Sequence, residues 1–383
     1  MKKLLGILVL GLLLSGNSFA NTIVIPVTVN VINMDKGKFK LTYSDKIKQI
    51  IKKDFEYVNN IWKKAGVLWE IKKIRSIKAK VPNNFNKEVK WLEKNYITGT
   101  TNKEKIKRRI KLFKKVINFK KYRNLRTVNV YFLPEMFVPG ICGATLYNSS
   151  DKTNKAVIVG FKDCIITGTR AHALAHEFGH VLGAPDYYHY DGGGAPTPVG
   201  GWDVMASNGN PPQFPSAFTK WKYFDWLELT ELTESGTYTL NPLQEQENTI
   251  YKIPSPNSEA EYFIVEYRKQ EGMYDENAPG PRSGLVAYRI NTEAGNGNAQ
   301  GPPDEIYVYR PGGDLNNNGN FDQAPYSIAY NHTQLNDDTN PSSFLYNGGS
   351  GAEGGLNLYG VTEAGETISF TVSFGMPIIS VDP

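Results

Sequence analysis

His176, Glu177 and His180 fall in the order H-E-x-x-H, within Ala175-His176-Glu177-Phe178-Gly179-His180-Val181-Leu182-Gly183-Ala184-Pro185-Asp186. Two histidines four apart on a helix share one face, so both imidazoles can ligate a single zinc. Glu177 stands beside the first ligand, within reach of a water held there, and suits the general base of a hydrolysis. Leu174, Phe178, Val181 and Leu182 lie on the other faces and call for a core around the helix. Gly183 permits a left-handed exit from the helix, and Pro185 stops it from resuming. Asp186 can then return as a third ligand. That set leaves a fourth position open, which is the catalytic rather than the structural pattern of zinc binding. His172 lies on the same face but two turns from His180, roughly 12 Å along the axis. Ligand bonds of about 2 Å cannot span that distance, so His172 reads as a packed or hydrogen-bonded helix residue. His189, in the Tyr187–Tyr190 loop, is the rival to Asp186; spacing favours Asp186.

The extended run H-E-F-G-H-V-L-G-A-P-D resembles the zinc signature of the metzincin clan, in the variant where Asp replaces the third His. Gly200-Gly201-Trp202-Asp203-Val204-Met205-Ala206-Ser207 is similar to the W-D-x-M-A-S turn of the immune inhibitor A family of secreted bacterial zinc metallopeptidases, as is Pro215–Trp221 downstream. The resemblance runs from about His172 to Trp226. It implies His176, His180 and Asp186 as zinc ligands, Glu177 as base, and Met205 as the Met-turn supporting the site from below. It also implies an α+β metzincin-like peptidase domain.

Those residues need elements to position them. Thr22 to Ile32 alternates and is β-branched, so it reads as a strand; Ser44 to Ala65 carries apolar residues at helical spacing behind Ser44 as N-cap. Val67 to Ile74, Val128 to Leu133 and Ala156 to Phe161 read as further strands before the motif helix. From Gly236 onward short alternating strands separated by Pro/Gly/Asn loops (Thr237–Leu240, Thr249–Ile253, Glu261–Tyr267, Gly284–Ile290, Thr367–Phe374) predict an all-β, sandwich-like C-terminal domain. The expected organisation is a signal peptide over 1–20, a catalytic domain over 21–232 and a β domain over 233–383. The leader has two lysines, an apolar run and a Ser18-Phe19-Ala20 cleavage-type end. No other run is apolar enough to span a bilayer, so a secreted protein is expected, extracellular or periplasmic, and not an integral membrane protein.

The 383 residues carry a net charge of +5, yet the stretch from Lys87 to Arg126 alone carries +12, leaving the remainder at −7. Its apolar residues keep helical spacing, which predicts a helical insertion with a basic outer face. A solvated face is one reading and contact with an anionic surface the other. Nucleic-acid binding is not expected, since neither interleaved aromatics nor a recognisable binding fold is clear. Cys142 and Cys164, the two cysteines, suit a disulfide in an exported chain, the competing reading being a thiolate that blocks the zinc. Asp314, Asn316, Asn318, Asn320 and Asp322 place oxygens at calcium-loop spacings around Gly319, but Pro325 stands where a bidentate Glu belongs. A weak Ca2+ site and a plain Asx-rich turn both fit.

The function these residues favour is zinc-dependent endopeptidase action on protein or peptide substrates, with Glu177 activating water. The alternative is a surface adhesin, or a glycan- or protein-binding protein, on a peptidase-derived fold. That class predicts loss of a ligand or the base, whereas His176, Glu177, His180 and Asp186 are all present. A glycoside hydrolase would need a facing carboxylate pair, which sequence alone cannot show.

Overall fold

The computed structural model describes residues 22–375, apart from 96–102, 139, 149–150, 164, 166–167, 191–195, 208, 210–211, 246 and 272–277. The expected leader and Cys164 lie outside the described residues. The chain falls into two compact units, one ending at Val181 and the other beginning at Leu182. The architecture is mixed α/β with several sheets.

In the first unit the organising strand is β1 (Ile23–Lys36). Val27, Val29 and Val31 on one face and Thr28 and Asn30 on the other are all buried. Burial of both faces is what a strand inside a helix-covered parallel sheet requires. β1 pairs in parallel with β3 (Val67–Lys78) on one side and β4 (Val128–Leu133) on the other. β4 continues in parallel to β6 (Asp151–Gly160), and β5 (Gly143–Asn148) closes that edge antiparallel to β6. The short β2 (Phe39–Leu41) folds back on the end of β1. Helix α1 (Asp45–Lys64) begins as expected behind Ser44, whose hydroxyl accepts from Ile47 N at 3.3 Å. Its apolar face, including Ile51, Phe55, Val58 and Trp62, is fully buried.

The basic stretch forms α2 (Phe85–Asn95) and α3 (Lys103–Ile117), followed by the single turn α4 (Phe119–Tyr122). Phe85, Val89 and Leu92 of α2 and Leu112, Phe113 and Val116 of α3 join one core with Phe39 and Phe137. Amphipathic helices of this kind turn their lysines to solvent because only the apolar stripe gains from burial. Between α2 and α3 lies a groove of about 490 Å³ edged by Lys87, Lys111 and Lys115. Arg108 stacks 3.9 Å from the Trp91 ring centre and pairs with Glu104 at 3.0 Å.

The motif helix is α5 (Ala171–Leu182). Its entry is fixed by Asp54 of α1, whose carboxylate accepts from Arg170 N (3.2 Å) and Arg170 Nη1 (2.8 Å), while Arg170 Nε donates to Phe161 O at 2.7 Å. Both side chains are buried. Burial raises the Asp54 carboxyl above its ordinary range, opposed by the Arg170 charge.

The second unit contains α6 (Ala217–Lys222) and two sheets. One sheet orders β12 (Ile306–Val308), β11 (Gly284–Asn291), β10 (Glu261–Arg268), β9 (Ile250–Pro254) and β7 (Thr230–Glu231). The other orders β13 (Leu358–Tyr359), β14 (Ile368–Val372) and β8 (Gly236–Leu240). Both contribute to one apolar core: Phe263, Val265 and Tyr267 from β10 meet Ile368, Phe370 and Leu240 there. The alternate residues of β10 point the other way into a polar cluster, where Glu266 accepts from Ala217 N (2.6 Å) and Tyr288 Oη (2.7 Å) and lies 3.2 Å from Arg268. No described helix is long and apolar enough to cross a membrane.

Removing one partner of a buried ion pair strands the other charge, at a cost of about 3–5 kcal/mol. Asp54→Ala is therefore expected to lower the unfolding free energy by that order, measured by denaturant titration, with α5 losing its anchored entry.

Candidate metal centre

Packing sets the rotation of α5. Phe178 is fully buried and stacks on Trp69 of β3, with ring centres 3.9 Å apart and planes at 20°, and meets Phe55 of α1 edge-on at 5.7 Å. Leu174 and Ala175 are buried on the neighbouring faces. This leaves His176 and His180 half-buried on a common face, their ring centres 4.7 Å apart. His172 is buried, and burial, with the adjacent His176 and Arg170 charges, lowers its imidazole to about 4. Its spacing predicted a packed or hydrogen-bonded helix residue.

Gly183 adopts φ +125°, the positive region expected of the helix exit. Three residues later Asp186 is buried, and its carboxylate returns to the two histidines. One ligand atom from each of His176, His180 and Asp186 lies within 4.8 Å of the others. Among the described residues, this is the group of three or more His, Cys, Asp or Glu side chains gathered closely enough to hold a metal ion. Two imidazole nitrogens and a carboxylate oxygen form a donor set suited to zinc. Small side-chain rotations bring such atoms to ligand distance, so the residues fit the metal. His189, the rival ligand, is engaged elsewhere: its Nε2 lies 2.6 Å from Asp304 Oδ1.

Glu177 is held against a strand that sequence reading missed. Thr145 Oγ1 of β5 donates to Glu177 Oε2 at 2.6 Å. At Gly143, two residues earlier on the same face, a Cβ would lie 2.6 Å from Glu177 Oε1 and 2.8 Å from its Cγ. Thus the buried carboxylate lies over the backbone of the edge strand, and only glycine leaves room for it there. The alternation Gly143-Ala144-Thr145-Leu146 was the available signal, with Ala144 and Leu146 packing on the core and Thr145 facing the other way.

The Met205 turn is built by Asp203, which is fully buried. Its Oδ1 accepts from Met205 N at 2.7 Å, and its Oδ2 accepts from Ser216 N and Thr219 Oγ1, each at 2.7 Å. Tyr187 Oη lies 2.9 Å from Thr219 Oγ1, and burial raises that phenol well above its ordinary range. Met205 is fully buried, and its carbonyl accepts from Tyr187 N at 2.9 Å. The turn is thereby bonded to the residue immediately after Asp186.

The calcium-type loop puts its oxygens to other uses. Asp314 Oδ1 accepts from Asn316 N (2.6 Å) and Asn317 N (2.8 Å); against the effect of burial, the Asn317 side-chain amide and these backbone bonds lower its carboxyl pKa. Asn318 Oδ1 accepts from Thr197 N at 2.6 Å, and Asn320 Oδ1 caps a short 3-10 turn through Asp322 N at 3.0 Å. The Asx-rich turn accounts for Asp314, Asn318 and Asn320 without a cation. The pairing of Cys142 with Cys164 falls outside the described residues.

Residues 147–223 match the family model described as immune inhibitor A peptidase M6, catalytic domain. Over this segment the chain is similar to the catalytic domain of M6 peptidases. The matched span contains the H-E-x-x-H helix, Asp186 and the Met205 turn, where the motif resemblance had pointed. No curated protein matches the chain. Among solved structures, one described as a chaperone–substrate complex is similar at TM-score 0.28 and 16% identity, over 53% of this chain and 34% of that one. Metalloproteinase-II from Bacteroides fragilis is similar at TM-score 0.30 and 14% identity, over 55% of each chain. The chain spans about a third and about half the length of these two structures.

Gly143→Ala is expected to push the Glu177 carboxylate off its seat while leaving the edge strand intact. Under the general-base role proposed for Glu177 below, worth on the order of 10²–10⁴ in rate, peptidase kcat should fall at least about tenfold with little change in melting temperature.

Proposed function

We propose that the chain is a secreted zinc endopeptidase. The observation that carries the reading is the convergence of His176, His180 and Asp186, with Glu177 interleaved between the two histidines and buried against β5. When bound, zinc would supply Lewis-acid activation of water and of the peptide carbonyl. The remaining chemistry belongs to the chain. Glu177 accepts the proton of the attacking water as the C–O bond forms, then returns it to the amine nitrogen as the C–N bond breaks. Thr145 holds one oxygen of that carboxylate, which fixes the direction of the other. β5 ends the sheet, and an edge strand beside the base offers backbone N–H and C=O groups to an extended peptide.

The metzincin-like character of the catalytic domain, taken as 21–232, rests on the motif and its Met205 turn. The sandwich-like reading of 233–383 rests on two sheets sharing one core. Export rests on the leader-type composition of residues 1–20, and with it goes the Cys142–Cys164 disulfide. The lysines edging the α2–α3 groove support an anionic contact, while Arg108 is already committed to Trp91 and Glu104.

The test is cleavage of casein by the native chain beside Glu177→Ala, with zinc counted in both. The native chain is expected to bind one zinc and cleave; Glu177→Ala should keep the zinc and lose a factor of about 10²–10⁴ in kcat. A well-folded native chain without zinc overturns the proposal. In the native chain, a strong chelator should abolish cleavage and added zinc restore it.

A further inference from the structure

The third ligand is held by a segment more than a hundred residues downstream. Asn298 N donates to Asp186 O at 2.9 Å, and Tyr190 N donates to Ala299 O at 3.2 Å. The Asn298 side chain, fully buried, donates to Ile306 O at 2.8 Å and to Tyr187 O at 3.3 Å. Gly297, at φ +76°, lets the two backbones meet: a Cβ there would stand 2.7 Å from Asp186 O and 2.6 Å from Pro185 Cβ. The segment from Pro185 to Tyr190 is therefore clamped along its length.

Side chains in that clamped loop alternate. Tyr187 and His189 turn inward, the first fully buried and the second paired with Asp304, with only 7% and 8% of the His189 and Asp304 side chains exposed. Tyr188 and Tyr190 turn outward at 39% and 38% exposure, their rings 5.7 Å apart. From that outward position the Tyr190 hydroxyl donates to Asp186 Oδ2. A carboxylate has two equivalent oxygens, and a donor on one of them sets which is presented to a cation.

We infer that Tyr190 is a positioning residue for the metal centre, committing Asp186 to a single-oxygen contact, and that the His189–Asp304 pair holds the loop from which Tyr190 acts. The inference rests on the proposed zinc site and adds residues that the motif does not contain. Asp304 lies outside the matched span, so the metal affinity of this chain depends on a part of it that the peptidase signature does not reach. Partners that orient a metal ligand from behind typically change affinity 10–100-fold.

The test compares the native full chain with Tyr190→Phe and Asp304→Ala, with Asp314→Ala as a control whose carboxylate bonds within the Asx-rich turn. Zinc affinity is read by competition with a chromophoric chelator, and ligand geometry by the visible spectrum of the cobalt-substituted protein. Native chain and Asp314→Ala should bind zinc alike. Tyr190→Phe should bind about 10–100-fold more weakly, with altered cobalt bands and an unchanged melting temperature of the metal-free protein, since the ring remains and the hydroxyl alone is lost. Asp304→Ala should weaken zinc in the same direction. If Tyr190→Phe binds zinc as tightly as the native chain with the same cobalt spectrum, the positioning role is overturned while the zinc reading stands. Absence of zinc from the folded native chain would instead overturn both. Because Tyr190→Phe leaves the buried pair intact, it decides the question even if Asp304→Ala fails to fold.

Discussion

One helix can supply two ligands to a metal but not a third at a useful angle, and much of the architecture around Asp186 answers that restriction. Residues i and i+4 share a face; the next residue on that face is a further turn away, as His172 is in the opposite direction. The third donor must come from chain that has left the helix and doubled back. Gly183 makes the exit sterically inexpensive, yet a flexible exit by itself would leave Asp186 wandering. Three backbone bonds restrain the residues beyond it: Met205 O on Tyr187 N, Asn298 N on Asp186 O, and Ala299 O on Tyr190 N. Each of these bonds is worth only about 1 kcal/mol net. Their combined effect is to reduce the conformations that metal binding would otherwise have to freeze.

The same logic explains why the Met-turn signature contains an aspartate. A methionine can fill a floor by packing alone, but its height relative to Asp186 depends on the backbone. Asp203 sets that backbone by accepting from three donors, Met205 N, Ser216 N and Thr219 Oγ1. A buried carboxylate needs such satisfaction, because an ionised group out of water is strongly unfavourable unless hydrogen-bonded. Trp202, beside it, is fully buried, so the W-D-x-M order places an apolar anchor, a backbone clamp and the packing residue in immediate succession.

Periodicity made much of this visible before any coordinates. The strand at Val128–Leu133, helix α1 behind its Ser44 cap, and the β10 and β11 strands sit where short apolar runs, alternation or helical spacing put them, although the three strands are buried at nearly every residue and only α1 repeats its burial with its own period. The His176, His180 and Asp186 cluster was legible because helix geometry alone links His176 to His180, and because Gly-x-x-Asp describes a local turn. Edge strand β5 was not recognised: Gly143 weakens a strand pattern, and its requirement arises only when Glu177 is seen to lie across it. The Asx-rich loop at Asp314 showed the opposite difficulty. Oxygens at alternate positions satisfy backbone donors in a turn as well as they would surround a cation, and a one-dimensional pattern does not distinguish the two.

Asn298 and Asp304 carried no signal at all. Each is an ordinary polar residue in a loop, and its meaning comes from the partner it meets: the carbonyls of Tyr187 and Ile306 for Asn298, the imidazole of His189 for Asp304. Motifs record residues whose chemistry repeats at fixed spacing, which is why His176, Glu177, His180 and Asp186 form one. The groups that orient a ligand need only reach it, and any loop that passes close enough can provide them. A carboxylate ligand makes this second set more consequential than an imidazole would. An imidazole directs its lone pair along one fixed axis, whereas Asp186 can turn either oxygen, or both, toward a cation. An aspartate as third ligand therefore shifts the burden of geometry onto the surrounding hydrogen bonds, and in this chain the Tyr190 hydroxyl makes one of them.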